Sequence, residues 1–169
     1  MCEDLKRDLV DTAISMGAMD AKVFTIGDIV FDERTLLKCL FGCGADMQYC
    51  PNLRDVSSLI PYSEMVKKYK WGVIICTDNL EIGQEITLAL ESKAFLAGYY
   101  FALGATECAT CAQCGYLDGT PCVDRHSMRP PLYMLGVDVY KTVRGLGWEL
   151  SVVQKKGDPS KNITAVFVE

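Results

Sequence analysis

Apolar residues recur at helical spacing in three stretches of the chain. The pattern over residues 3–16 places four of them on one side of a helix: Leu5, Leu9, Ala13 and Met16. The longest pattern covers residues 81–103 and ends before Gly104, and the third covers residues 131–146, behind two prolines suited to a helix start. Each stretch predicts an amphipathic helix that buries one face.

Five shorter stretches have the pattern of β-strands. Residues 22–26 and 29–31 are rich in β-branched and aromatic side chains and predict either two short strands or one strand with a kink. Residues 71–76 form an apolar run typical of a strand buried on both faces, so we expect this strand at the centre of a sheet. Residues 148–153 and 163–168 flank a turn-like segment and predict two strands that pair as a hairpin or flank one sheet.

These elements predict one α/β or α+β domain over residues 1–169, with a mixed sheet of four or five strands flanked by the three helices. Pro61 suits the start of a further short helix over residues 61–69. Residues 36–61 mix glycine, asparagine, serine and cysteine without steady periodicity. We expect them to form a long irregular loop, and such loops are commonly functional.

Composition narrows the class of protein. The chain has 169 residues, of which 50% are hydrophobic and 23% charged, as in an ordinary globular domain. Its net charge of −5 offers no positive field for nucleic acid, and no stretch is long and apolar enough to span a membrane. The charged residues 1–8 lack the apolar core of a secretory signal, so we expect a cytoplasmic protein with reduced thiols.

The strongest chemical signal is a run of three cysteines with two residues in each gap. Cys108, Cys111 and Cys114 form this run, and Cys122 follows. Three thiolates at such spacing in one loop can wrap around adjacent irons of a 4Fe-4S cluster. Four thiolates also suit zinc, although zinc sites more often use two separated pairs of cysteines. The run therefore favours an iron–sulfur cluster and keeps zinc as the alternative.

Another set of cysteines, the first along the chain, lies in the predicted long loop, so the run with Cys122 is the second cysteine set. Cys39, Cys43 and Cys50 supply three ligands, and glycines beside Cys43 would let backbone N–H groups approach sulfur. Either the two sets share one cluster, or this loop holds its own metal with a non-cysteine or exchangeable fourth ligand. We favour two sites, because seven thiols exceed the four ligands of one cluster.

Other residues have simpler interpretations. Cys76 lies inside the buried-strand pattern and is expected to be a core residue, while Cys2 is near a terminus and has no partner in the pattern. His126 is the only histidine and by itself is weak evidence for a ligand. Arg125 and Arg129 flank it, and we expect them to carry surface charge rather than to neutralise a bound anion.

Several segments together resemble a prokaryotic family of cysteine-rich, predicted metal-binding proteins of anaerobes. The resemblance covers nearly the whole chain and rests on the two cysteine sets, the tyrosine- and glycine-rich segment 97–105, Pro121 before Cys122, and residues 128–130 leading into 136–139. It implies that metal binds at the seven cysteines.

The leading hypothesis is thus an iron–sulfur protein that transfers electrons or serves a larger enzyme as redox partner in anaerobic metabolism, docking through its acidic surface. One alternative is a binding or regulatory module stabilised by zinc. Another is a metalloenzyme whose three-cysteine loop keeps an open coordination position. We expect both cysteine loops at one end of the domain.

Overall fold

A computed structural model describes residues 2–42, 62–115, 118–152, 155 and 160–169. The described helices are α1 (Cys2–Ser15), α2 (Thr35–Gly42), α3 (Tyr62–Val66), α4 (Leu80–Leu96) and α5 (Val139–Gly145). The strands are β1 (Asp20–Thr25), β2 (Trp71–Thr77), β3 (Leu103–Ala105) and β4 (Asn162–Val168). None of the helices in this part of the chain is long and apolar enough to cross a membrane.

The four strands form one sheet in the order β1-β2-β4-β3, so the α+β class and the number of strands are confirmed. β2 pairs with β1 on one side and β4 on the other, with Val73 opposite both Val23 and Val166. All seven residues of β2 are buried. The apolar run at residues 71–76 therefore correctly predicted a central strand.

Every described strand pair is antiparallel, whereas the sequence pattern led us to expect mixed directions. The reason is the position of β4. Helix α4 carries the chain from β2 to β3, and these two strands run in the same direction, as a helical crossover requires. They do not pair, because β4 is inserted between them and runs opposite to both.

The sheet is covered on both faces, and alternate residues of the central strands face opposite sides. Val73 and Ile75 of β2 and Val166 of β4 pack in one cluster with α1 and α4. Ile74 of β2 and Phe167 of β4 pack in the other with α5 and residues 131–137. The helix predicted at residues 3–16 is confirmed as α1, which contributes the fully buried Leu9 and Ala13 to the first cluster.

The helix predicted over residues 81–103 ends earlier, at Leu96. Gly98 adopts a left-handed conformation with φ of 99°. Its N–H donates to the Phe95 carbonyl, and the Tyr99 N–H donates to the Ala94 carbonyl, which closes the helix end. The apolar residues beyond this point continue into β3 instead of a helix.

The helix predicted over residues 131–146 is also shorter. Residues 131–136 form successive turns, and Gly136 has φ of 83°, which interrupts a helix. The Asp138 carboxylate then accepts a hydrogen bond from the Lys141 N–H at 3.0 Å and caps α5. The expected strand at 29–31 is reduced to a single bridge between Phe31 and Val137.

Two further predictions differ from the structure. Residues 148–152 form no strand, because Trp148 is held to β1 by side chains: its indole N–H donates to Asp20, and Lys22 lies over its ring. Residues 35–42 form α2 rather than irregular loop, and the remaining loop residues 43–61 lie outside the described chain. The short helix predicted at residues 61–69 is present as α3.

Gly72 provides a test of the central packing. A Cβ atom at this position would lie 2.2 Å from the Val166 carbonyl oxygen and 2.4 Å from Cζ of Phe24. Because the first neighbour is backbone, we expect Gly72→Ala to lower the free energy of unfolding by about 3 kcal/mol in chemical denaturation.

Gly145→Ala is the matched control for this substitution. A Cβ there meets no atom within 4 Å, and the residue has no left-handed φ. Alanine should raise the free energy of unfolding by about 0.5 kcal/mol through its helix propensity. Equal stability of the two variants would contradict the packing described for β2.

Candidate metal centre

The second cysteine set lies on a loop that begins directly after β3. Residues 106–115 and 118–130 contain no helix or strand. Cys108, Cys111, Cys114 and Cys122 all lie on this loop as free thiols. The Cys108 side chain is exposed, and the other three are partly buried. The cysteine-rich segment is thus accessible and is not part of the core.

The four thiols lie near enough to affect one another. Burial around its sulfur raises the pKa of the Cys108 thiol, an N–H bond from the Arg129 backbone partly offsets this, and negative charge on Cys122, Cys111 and Cys114 raises the pKa further. The pKa of Cys111 is raised by partial burial and then by the neighbouring Asp124, Cys122 and Cys114. All four thiols therefore share one electrostatic environment.

This proximity does not amount to a finished coordination site. Within the described residues, no group of three or more histidine, cysteine, aspartate or glutamate side chains is arranged to hold a metal ion. The loop places the thiols in one neighbourhood, and ligation would require their sulfurs to converge further.

A buried glutamine of α4 anchors the cysteine loop through hydrogen bonds. The Gln84 side chain is 1% exposed. Its Oε1 accepts hydrogen bonds from the backbone N–H groups of Ala109 at 2.6 Å and Thr110 at 3.0 Å, the two residues between Cys108 and Cys111. Its Nε2 donates to the Ser127 carbonyl at 2.9 Å. The Gln84 amide thus joins the start of the cysteine loop to Ser127 near the end of the loop. The amide uses three of its own hydrogen-bonding positions to do so.

An ion pair makes a second attachment between α4 and the loop. Nε of Arg129 lies 2.6 Å from Oε2 of Glu91, and both side chains are largely buried. Nη1 of Arg129 also donates to the carbonyls of His126 and Met128 at 2.8 Å. The expectation that Arg129 carries surface charge is therefore wrong, because Glu91 neutralises it inside the fold. Arg125 and His126 are exposed, as expected for surface residues.

A tight turn brings Cys122 back towards the cysteine run. The Gly115 carbonyl accepts hydrogen bonds from the Thr120 N–H at 2.8 Å and the Thr120 hydroxyl at 2.9 Å. A Cβ on Gly115 would lie 2.6 Å from the Pro121 carbonyl oxygen, so only glycine permits this approach. The turn therefore juxtaposes the residues that adjoin Cys114 and Cys122.

The first cysteine set is only partly described. Cys39 lies in α2, and nothing is described of its side chain, whereas Cys43 and Cys50 lie outside the described residues. Metal binding by this set remains a prediction. Cys76 is 5% exposed in β2, in agreement with its assignment to the core, and Cys2 begins α1.

Comparison with known proteins places the chain in a family. Residues 22–168 match the family described as "Predicted metal-binding protein (DUF2284)". The chain belongs to this family. The match includes both cysteine sets, and it supports metal binding without specifying the metal. No curated protein and no solved structure matches the chain.

The sequence predictions missed the residues that anchor the loop in this DUF2284 chain. Gln84 and Glu91 lie within the helical pattern of residues 81–103, and neither is among the candidate site residues that the sequence indicates. A weak signal was available, because α4 carries the polar residues Gln84 and Thr87 on its buried face, each beside an apolar residue or glycine of that face. Buried polar side chains need partners, and the cysteine loop supplies those of Gln84.

Replacement of Gln84 tests this anchoring. Gln84→Leu keeps most of the side-chain volume but leaves the N–H groups of Ala109 and Thr110 and the Ser127 carbonyl without this partner. We expect the free energy of unfolding to fall by about 2–3 kcal/mol, with faster hydrogen exchange at Ala109 and Thr110.

The matched control is Gln113→Leu, since Gln113 donates to Asp118 at the exposed surface of the same loop. Its effect should be about 0.5 kcal/mol or less. Unchanged exchange at Ala109 and Thr110 in Gln84→Leu would show that the buried amide does not hold the loop.

Proposed function

We propose that this member of the metal-binding family holds a 4Fe-4S cluster through Cys108, Cys111, Cys114 and Cys122. The observation that carries the proposal is that one loop holds these four free thiols so close together that the other three raise the pKa of Cys108, and Cys122 and Cys114 raise the pKa of Cys111. The spacing of the cysteine run supports iron–sulfur ligation over a zinc site.

The residues present fit such a group. Thiolate sulfur is the ligand that iron–sulfur clusters use, and the loop offers four thiols with no disulfide among the described cysteines. The Arg129 backbone N–H lies where it lowers the pKa of the Cys108 thiol, and N–H groups that approach ligating sulfur favour the reduced, more negative cluster. When bound, the cluster would supply one-electron transfer.

Gln84 and Arg129 have the role of holding this loop. Gln84 fixes the backbone between the first two cysteines, and the Arg129–Glu91 pair fixes the segment after Cys122. An anchored backbone limits the number of arrangements that the thiols adopt before ligation, which lowers the entropic cost of binding a metal.

The proposed role is electron transfer in anaerobic metabolism, with a larger protein as redox partner. Support for the partner comes from charge: the chain carries −5 overall, which favours docking to a basic surface and faster association at low salt. The proposed location is the cytoplasm, where cysteines stay reduced.

A second candidate function is a metalloenzyme with an open coordination position. The observation that favours it is a cavity of about 640 Å³ lined in part by Thr106 and Glu107, the residues that precede Cys108. A cavity of this size suits a small molecule, which a protein devoted to electron transfer does not need.

Anaerobic purification with counts of iron, zinc and acid-labile sulfide tests the cluster. Wild-type protein should carry iron and sulfide in equal amounts, and Cys111→Ser should lose both from this loop because thiolate ligation is removed. Cys76→Ala is the control: it should keep its iron and lose only about 1 kcal/mol of stability through a core cavity. Zinc without sulfide would replace the iron–sulfur proposal with the zinc module.

The number of clusters follows from a second serine variant. If the first set of cysteines holds its own cluster, Cys43→Ser should lower iron per chain to about half of the wild-type value, and Cys111→Ser should do the same. If the two sets share one cluster, each variant should lose nearly all the iron. Full metal content in both variants would show that these cysteines are not ligands.

A further inference from the structure

The cavity beside the cysteine loop lies at one end of the sheet. Its lining includes Lys161 and Asn162 at the start of β4, Thr106 after the end of β3, and the first turns of α2 and α5. Lys38 and Glu107, which also line it, directly precede the first cysteine of each set. The cavity therefore borders the backbone of both cysteine-bearing segments.

Two of the three acidic groups in the lining are already neutralised. The Asp32 carboxylate accepts hydrogen bonds from the Arg34 backbone N–H at 3.1 Å and from its Nε at 2.8 Å. Asp138 caps α5 and lies 3.1 Å from Nζ of Lys141. Neither carboxylate is available to bind a cation in the cavity.

The lysines of the lining are not neutralised in the same way. Among the described residues, neither Lys38 nor Lys161 forms an ion pair with a carboxylate. The Nζ of Lys161 donates to a backbone carbonyl, that of Glu149, at 3.2 Å. Glu107 is the one lining carboxylate for which the described chain shows no cationic partner, so the available charge of the cavity is positive.

The rest of the lining is largely apolar. It includes Leu132, Val137, Val139, Leu150 and Ile163. Apolar walls with a few charged groups are typical of sites for small organic molecules: the walls bury the body of the ligand, and the charges fix its head.

We propose that this cavity binds a small organic anion, a carboxylate or a phosphate ester with an apolar body, whose head is recognised by Lys38 and Lys161. The two lysines that recognise the head lie outside the cysteine loop, so anion binding does not depend on which metal the loop holds. Its position next to Cys39 and Cys108 would place the bound anion beside the proposed metal site, and this last consequence alone rests on the proposed function.

Calorimetric titration of the full-length protein, purified anaerobically, tests the proposal with three small aromatic probes. Cinnamate carries a carboxylate, phenyl phosphate carries a phosphate, and cinnamamide has the shape of cinnamate without the charge. We expect saturable binding of at least one anion, with the tighter one identifying the headgroup, and weaker binding of cinnamamide.

Substitutions at three lysines, made singly and in one double variant, locate the binding site. Lys38→Gln and Lys161→Gln should each weaken anion binding about threefold, and the double variant about tenfold. Lys68→Gln is the control, because Lys68 lines a separate apolar cavity of about 710 Å³ that also contains Glu169. Its affinity for the anions should not change.

Equal binding of cinnamate and cinnamamide would overturn the proposal. Loss of anion binding in Lys68→Gln together with unchanged anion binding in Lys161→Gln would also overturn it. Iron and sulfide counts on the same samples separate this inference from the proposed function. Anion binding in protein that holds no iron would leave the cavity assignment intact, and full iron with no anion binding would refute the cavity assignment alone.

Discussion

The antiparallel pairing of β2 with β4 over seven residues is the constraint on which the rest of the fold depends. Both strands are buried on both faces, so alternate side chains must pack against two different layers of the fold, one on each face of the sheet. A shift of one residue would move Val73 and Ile74 to the wrong layers at once. Gly72 adds to this constraint, since the edge-to-face contact of Phe24 and Phe167 closes over a position that has no side chain.

Helix α4 connects the cysteine loop to the central strands of the sheet. Ile86 and Leu90 pack on the sheet, and the hydroxyl of Thr87 donates to that of Thr164 in β4 at 2.8 Å, which fixes the helix against the central strands. The same helix supplies Gln84 and Glu91 to the loop. The irregular segment therefore takes its position from a helix that the core holds in place, and not from secondary structure of its own.

The sequence predicted what depends on local pattern. A run of apolar residues at 71–76 can be satisfied only in a buried strand, and the helical spacing of Leu5, Leu9 and Ala13 required one covered face. Helix ends were less predictable. The stop at Gly98 depends on a left-handed φ, and apolar residues continue on both sides of it, so hydropathy alone could not locate the end. The start of α5 depends on Asp138, which caps the helix. The two prolines further upstream also suit a helix start, and they led us to begin the predicted helix earlier.

The cysteines of the candidate site could be identified from the sequence, whereas the residues that hold their loop could not. Cysteine spacing is local and visible in the sequence, whereas the partners of Gln84 lie 25 and more residues away. The Arg129–Glu91 pair likewise joins residues 38 positions apart. Such contacts arise from tertiary packing, and a single sequence shows them only as polar residues within an apolar face.

The insertion of β4 between β2 and β3 has a consequence for biosynthesis. β4 is the last of the four strands to leave the ribosome, yet it occupies an interior place in the sheet. Until it arrives, β3 lacks the strand with which it pairs among the described residues, and α4 lacks the strand against which it packs most extensively. The thiols between β3 and β4 are thus translated before their scaffold is complete. Loading of the proposed metal centre would accordingly follow completion of the sheet.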